Sequence, residues 1–218
     1  MNNPIKYIDP NGKDGDVTIN KDKITIKVQI YIYGSGANNK QAGAMQSDIM
    51  KNWNKGLSYT DSKTGEKYKV SFDVKVQVYN KDNPKEGPGI LSNKNNPFST
   101  ANFIEVGATS KEVSRSFVSG GDEGQWRGYG TDSAPHEFGH LIGLGDQYTD
   151  SKGANPNWGG NIMAEPAGKG TVDQRNIDAV AAPLVNQYQN SKQYYFNQNS
   201  KNCSQEFNTK IDENNPSW

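Results

Sequence analysis

The sequence predicts an α+β fold in which helices pack against a mixed β-sheet. Two stretches, 24–33 and 70–78, alternate apolar and polar residues with the period of a strand that buries one face. Between them, apolar residues recur at helical spacing from Ala42 to Leu57, which predicts a helix of about five turns across the sheet. The predicted order is therefore strand, helix, strand.

Shorter strands are predicted at 102–108, 115–118 and 125–129, with a glycine-rich turn at 120–124 between the last two. Farther along, Thr171 and Gln174 have the residue types and spacing of a capping box at the start of a last helix. Apolar residues from Ile177 to Tyr188 continue that helix, and Pro183 predicts a bend in it.

Length and composition narrow the classes of function. A chain of 218 residues can bury one substantial core. Its 24 basic and 24 acidic residues cancel, so charge gives no reason to expect a nucleic-acid or membrane-surface partner. We expect a protein or peptide partner. The single cysteine, Cys203, cannot form an internal disulfide, and neither a membrane-spanning run nor a signal-peptide pattern is present in the sequence.

The two histidines of the chain lie four residues apart, with a glutamate beside the first. On a helix this spacing brings His136 and His140 to the same face, where both imidazoles can bind one metal ion. Glu137 is then the expected general base, since a carboxylate within reach can take a proton from water that a zinc ion has acidified. The motif predicts a zinc hydrolase.

The flanking residues predict where this helix begins and ends. Asp132 or Ser133 can cap its first turn, in which Pro135 is tolerated. Gly143 can adopt the left-handed conformation that ends a helix, and the reversed chain can bring Asp146 back to the metal. No third histidine exists, so the third protein ligand must be a carboxylate or Cys203, and Asp146 is the better placed.

These residues resemble the metzincin clan of zinc peptidases, whose signature ends in a third metal ligand and is followed by a methionine turn. Asp146 at the third ligand position resembles the snapalysin-type branch, which also has a tyrosine two residues later, as Tyr148 is here. The segment 161–166 resembles the methionine turn, with Met163 as its methionine. Glu165 is a departure, because many metzincins have a tyrosine at that position.

The resemblance implies a metzincin-like zincin fold with a twisted sheet above an active-site helix, one catalytic Zn²⁺ and endopeptidase activity. It also implies that a substrate peptide adds as a strand to the sheet edge, which we expect in 115–118 or the glycine-rich turn after it. Tyr148 would contact the substrate or the transition state. Ordinary structural roles remain the alternatives: a buried core methionine at 163, a tyrosine bonded to backbone at 148 and a solvated hairpin at 115–118.

A carboxylate ligand also has a chemical consequence. Because Asp146 lowers the net positive charge of the site relative to a histidine, we expect the acidic limb of the activity profile at a higher pH than in three-histidine relatives.

Residues 2–12 resemble the closing segment of the core domain of RHS-repeat proteins, bacterial shells that carry a variable toxin domain after an Asp-Pro-x-Gly stretch. The resemblance implies a secreted or delivered toxin effector with an immunity protein as partner. We therefore expect 1–15 to be the end of an RHS-core-like segment or a linker, 16–195 the metallopeptidase domain, and 196–218 a polar extension.

Two alternatives stay open. Asp9, Asn11, Asp14 and Asp16 could form a solvated loop or a calcium site, although their spacing does not match an EF-hand. The domain could also be a non-catalytic binding module on a zincin scaffold, with a structural metal or none.

Overall fold

The computed structural model describes residues 5–8, 15–79, 101–119, 121–128, 133–165 and 169–191. The chain divides into two compact units, 1–181 and 182–218. The first unit holds all the elements labelled below. In the second unit, the described residues 182–191 are helical. The bend predicted at Pro183 stays a prediction.

A mixed sheet dominates the first unit, which confirms the predicted α+β class. Its strands within the described residues are β1 (Ile5–Ile8), β2 (Asp16–Asn20), β3 (Lys23–Tyr33), β4 (Ser58–Thr60), β5 (Lys67–Val78), β6 (Ala101–Gly107), β7 (Phe117–Ser119) and β8 (Glu123–Arg127).

Strand β3 is the centre of this sheet. Along one edge it pairs in parallel with β5 over nearly its whole length. Along the other edge its first half pairs antiparallel with β2 and its second half pairs in parallel with β6. Strand β8 follows β6 in parallel, and β7 pairs antiparallel with β8 as the last strand on that side among the described residues. Strand β1 pairs antiparallel with β2, and strand β4 pairs antiparallel with β5.

Helix α1 (Asn39–Trp53) lies between β3 and β5 in sequence, as predicted. Its buried side chains recur at three- and four-residue spacing, and the alternate side chains of both strands are buried as well. The helix ends four residues before the predicted Leu57. Asn54 ends it, Gly56 follows in the left-handed region at φ 75°, and the carbonyl of Leu57 accepts a hydrogen bond from Val70 of β5.

Helix α2 (Ala134–Leu141) carries both histidines and is fixed against α1 and β5 by an aromatic cluster. The rings of Trp53, Phe72 and Phe138 meet edge to face, with centroids 5.3 to 5.9 Å apart. The indole Nε1 of Trp53 also donates to the carbonyl of Pro135 at 2.9 Å. Through Trp53, helix α1 thus helps to fix the position of the helix that carries both histidines.

One turn prediction and one strand prediction need correction. The glycine-rich turn predicted at 120–124 is shorter, because Glu123 and Gly124 already belong to β8. Gly124 opposes Val118, and a Cβ there would overlap the carbonyl of Phe117, so only glycine fits. The strand predicted at 115–118 begins at Phe117 and ends at Ser119.

The capping box predicted at 171–174 lies two residues later. The helix begins at 174, and the carboxylate of Asp173 accepts from the backbone N–H of Arg175. In return the side chain of Asn176 accepts from the N–H of Asp173. Thr171 instead pairs with Asn161 through its backbone and lies three residues before the helix begins, too far away to be its N-cap.

The segment that we assigned to an RHS-core-like end or linker contains β1, which pairs with β2. The domain boundaries at 15 and 195 remain predictions. None of the helices in the described part of the chain has the length and apolar character needed to cross a membrane.

Candidate metal centre

The start of α2 differs from its prediction in one respect. Ser133 is the residue before the helix, but its side chain makes no capping hydrogen bond. Its hydroxyl is paired with that of Ser116 at 2.9 Å, and both residues are buried. Pro135 lies in the first turn as predicted, and Asp132 lies outside the described residues.

The end of α2 confirms the role predicted for Gly143. This residue has φ 95°, its N–H bonds to the carbonyl of His140 at 3.0 Å, and the N–H of Leu144 bonds to the carbonyl of Gly139 at 2.8 Å. These two bonds form a Schellman motif, which reverses the chain. The reversal brings Asp146 back toward the two histidines.

The three predicted ligands do come together. Oδ1 of Asp146 lies 3.2 Å from Nε2 of His136 and 3.3 Å from Nε2 of His140. All three ligand atoms lie within 4.8 Å of one another. The group could hold one metal ion.

Hydrogen bonds on the far side of each ring determine which nitrogen faces the site. Nδ1 of His136 lies 2.7 Å from the carbonyl oxygen of Ile162, and Nδ1 of His140 lies 2.8 Å from that of Leu144. Because a carbonyl oxygen only accepts, each Nδ1 must carry the proton. Burial, as the main cause, lowers the pKa of His136 and favours its neutral form, whose Nε2 then presents a lone pair. When both rings are neutral, two imidazole lone pairs face one carboxylate oxygen, an arrangement that a cation stabilises.

The distances fit such a cation. In a tetrahedral zinc site with bonds of about 2.0 to 2.1 Å, neighbouring ligand atoms lie about 3.3 Å apart. The separations between Asp146 and the two histidines match that edge length. At 3.2 and 3.3 Å they also lie at the long end of the range for a direct hydrogen bond between nitrogen and oxygen.

Glu137 is buried beside the ligands, with 4 % of its surface exposed. Its Oε2 has no hydrogen-bond partner among the described residues, although the residue lines an open cleft. Burial, followed by the negative charge of Asp146, raises the pKa of Glu137 to about 8, and the positive charges of Arg115 and Arg127 oppose this shift. A bound cation would favour the charged carboxylate.

Met163 lies directly beneath α2, 1 % exposed, in a 3₁₀ turn at Ile162–Ala164. Its sulfur lies against Gly139, where a Cβ would overlap it. The side chain of Asn161 accepts from the N–H of Met163 at 2.9 Å and is paired with the buried amide of Asn176. The turn that places Met163 also supplies the Ile162 carbonyl to His136.

A cleft of about 500 Å³ opens above the three ligands, and Tyr148 and the edge strand β7 line it. Tyr148 belongs to a short hairpin, β9 (Tyr148–Thr149) and β10 (Gly153–Ala154), and its ring centroid lies 6.1 Å from that of His136. Its hydroxyl oxygen accepts from Nη2 of Arg115 at 2.9 Å. The sequence contained no signal for this pairing, since the two residues are 33 positions apart.

None of the other residues singled out from the sequence is part of this site in the described part of the chain. Glu165 accepts from the N–H of Gly160 at 3.2 Å. Cys203 and the acidic and amide side chains at 9, 11 and 14 lie outside the described residues, and Asp16 is part of β2. No family model matches the chain, and a search of curated proteins gives no match either.

Proposed function

We propose that the protein is a zinc-dependent endopeptidase of the metzincin type. The observation that carries this proposal is the convergence of three lone-pair donors, with both histidines held in the metal-binding tautomer by backbone carbonyls. Two imidazoles and a carboxylate at tetrahedral spacing suit zinc better than a hard cation such as magnesium or calcium, which prefers oxygen ligands. When bound, zinc polarises a carbonyl group and acidifies water.

Glu137 would act as the proton carrier. In its charged form, Oε2 accepts a proton from the water that attacks the scissile carbonyl carbon, and it then donates that proton to the leaving amine nitrogen. The position supports this role, because Oε2 is buried with no hydrogen-bond partner among the described residues, and the residue lines the same cleft as the ligands. No covalent bond between the chain and the substrate is needed.

Tyr148 would supply a hydrogen bond to the substrate carbonyl oxygen as negative charge develops on it. Its oxygen already accepts from Arg115, and its own proton has no acceptor among the described residues. The phenol therefore retains a donor in the cleft.

The substrate would be an extended peptide bound along β7. This strand pairs with β8 on one side and lines the cleft, so its other side can form main-chain hydrogen bonds with an added strand. Phe117 on this strand is 44 % exposed, the one large hydrophobic side chain in the described residues that is so open. It offers an apolar contact to a substrate side chain.

For the biological role, we propose a toxin effector that is secreted or delivered as part of a larger bacterial protein and is neutralised by an immunity protein. The resemblance of residues 2–12 to the end of an RHS core supports this role. A long RHS-repeat frame upstream of the gene, with a small gene beside it, is the expected genomic arrangement.

The test compares cleavage of unfolded proteins by zinc-loaded wild type and Glu137→Gln, which keeps the size of the side chain and removes its basicity. We expect equal zinc content and a loss of cleavage in the variant of at least about a hundredfold. Glu165→Gln, in the nearby turn, is the matched control and should keep its activity. Equal cleavage by wild type and Glu137→Gln would contradict the proposed base. Absence of cleavage by a zinc-loaded wild type would favour a binding module.

A further inference from the structure

We propose that Arg115 is a positioning residue that holds the Tyr148 hydroxyl as a hydrogen-bond donor toward the substrate. This inference rests on the proposed function and adds a residue that the metal motif does not include. Arg115 and Tyr148 line the cleft together, and Nη2 of Arg115 donates to the Tyr148 oxygen at 2.9 Å.

The direction of this hydrogen bond determines what the phenol can do. The guanidinium only donates, so the Tyr148 oxygen must accept. The phenol torsion that satisfies Arg115 leaves the hydroxyl proton to point elsewhere, and no described residue accepts it. A phenol that accepts from a charged donor is also polarised, which strengthens its own donation.

Both partners are anchored to the parts of the chain that position the metal ligands. Next to Arg115, the buried hydroxyl of Ser116 is paired with Ser133 at the start of α2 and accepts from the N–H of Arg127. Next to Tyr148, the N–H of Gln147 donates to the carbonyl of Met163 at 2.8 Å. Each residue of the Arg115–Tyr148 pair therefore has a chain neighbour that is hydrogen-bonded to a fixed part of the fold.

The second partner of Arg115 is weaker. Nη1 lies 3.4 Å from Oδ2 of Asp150, and the two side chains are 61 % and 76 % exposed. An ion pair this open contributes little. Asp150→Asn is therefore a matched control, since it changes the surroundings of Arg115 without removing the bond to Tyr148.

The test is a double-mutant cycle with Arg115→Ala, Tyr148→Phe and the double variant, measured on an uncharged peptide substrate at equal zinc content. Each single variant should lower kcat roughly tenfold or more with little change in KM. In the Tyr148→Phe background, loss of Arg115 should change kcat less than about twofold, because the group through which it acts is gone. Arg115→Lys should recover part of the loss, and Asp150→Asn should leave kcat close to wild type.

Two results would overturn the proposal. One is an undiminished effect of Arg115→Ala in the Tyr148→Phe background, or an effect confined to KM, either of which means that Arg115 contacts the substrate itself. The other comes from fluorine NMR of protein labelled with 3-fluorotyrosine, in which the Tyr148 signal is identified by its loss in Tyr148→Phe. That signal should move in Arg115→Ala and stay in place in Arg175→Ala. An unmoved signal would mean that the hydrogen bond is absent in solution, whatever the outcome for cleavage.

Discussion

The sulfur of Met163 packs against the α-carbon side of Gly139, so closely that a methyl group on Gly139 would overlap it. Glycine is unfavourable inside a helix, and its presence between the two histidines is explained by this approach. The Met163 turn can lie directly beneath the ligands only because position 139 has no side chain.

Gly139→Ala should therefore destabilise the protein despite the better helix propensity of alanine. We expect a loss of about 1–3 kcal/mol in the free energy of unfolding, measured by denaturant titration, together with weaker zinc binding. Gly43→Ala in α1 is the matched control, because a Cβ there meets nothing within 4 Å. It should stabilise the fold by about 0.5–1 kcal/mol. Destabilisation of similar size at both positions would show that the contact with Met163 is not the cause.

Trp53→Phe tests how α1 positions the metal helix. The change leaves the Pro135 carbonyl without its indole donor and opens space in a cluster that is buried on all sides. A loss of about 1–3 kcal/mol in the free energy of unfolding is expected. Trp158→Phe, which affects the cation–π contact with Arg175, should cost less than about 1 kcal/mol. Equal losses would mean that the Trp53 indole contributes no specific support.

Asp146→His tests the effect of the carboxylate ligand on pH dependence. A neutral ligand in place of an anion raises the net positive charge of the site, which favours deprotonation of water and of Glu137 at lower pH. The acidic limb of kcat/KM should therefore move to lower pH in the zinc-loaded variant. Asp150→His, an exposed position four residues away, makes the same substitution without changing a ligand and should move the limb less. An unchanged limb in an active Asp146→His protein would refute this expectation.

The carboxylate of Asp173 should make a contribution to the stability of the fold that depends on pH. Hydrogen bonds from Arg175, the main cause, lower the pKa of Asp173 to about 2. Because the pKa is lower in the folded state, the charged carboxylate stabilises the fold at pH values above its unfolded pKa of 3.8. This stabilisation is lost as the pH falls toward 2. Asp173→Asn should thus be less stable at pH 7 and equal to wild type near pH 2. Since the side chain is about a third exposed, we expect a difference below roughly 1 kcal/mol. A difference that persists at pH 2 would point to the cap geometry rather than to charge.

The sequence was sufficient to predict the elements whose apolar residues mark a single buried face. The alternation in β3 and β5 and the spacing in α1 each describe one buried face, and the His-Glu-x-x-His spacing needs only a helix. The helix end at Gly143 could be predicted because few residue types adopt the left-handed conformation. Asp146 could then be predicted as a ligand because it lies where the reversed chain returns to the histidines. The set of three candidate ligands is therefore largely a local feature of the chain.

The remaining features depend on distant partners. Ser133 does not cap α2, because the hydroxyl of Ser116, which lies just before β7, offers it a buried partner. The cap of the last helix lies at Asp173, while Thr171 is engaged in backbone pairing with Asn161. The contact of Arg115 with Tyr148 likewise exists only after the sheet edge and the hairpin have come together. Single-sequence patterns contain no information on such pairings.

The most direct test of the metal centre is zinc stoichiometry, measured by competition with a chromophoric chelator after removal of all metal. One zinc ion per chain is expected for wild type, with affinity falling at least about a hundredfold in His136→Ala, His140→Ala and Asp146→Ala and unchanged in Asp150→Ala. A protein that binds no zinc, or whose zinc affinity survives the loss of Asp146, would contradict the three-ligand site on which the proposed activity depends.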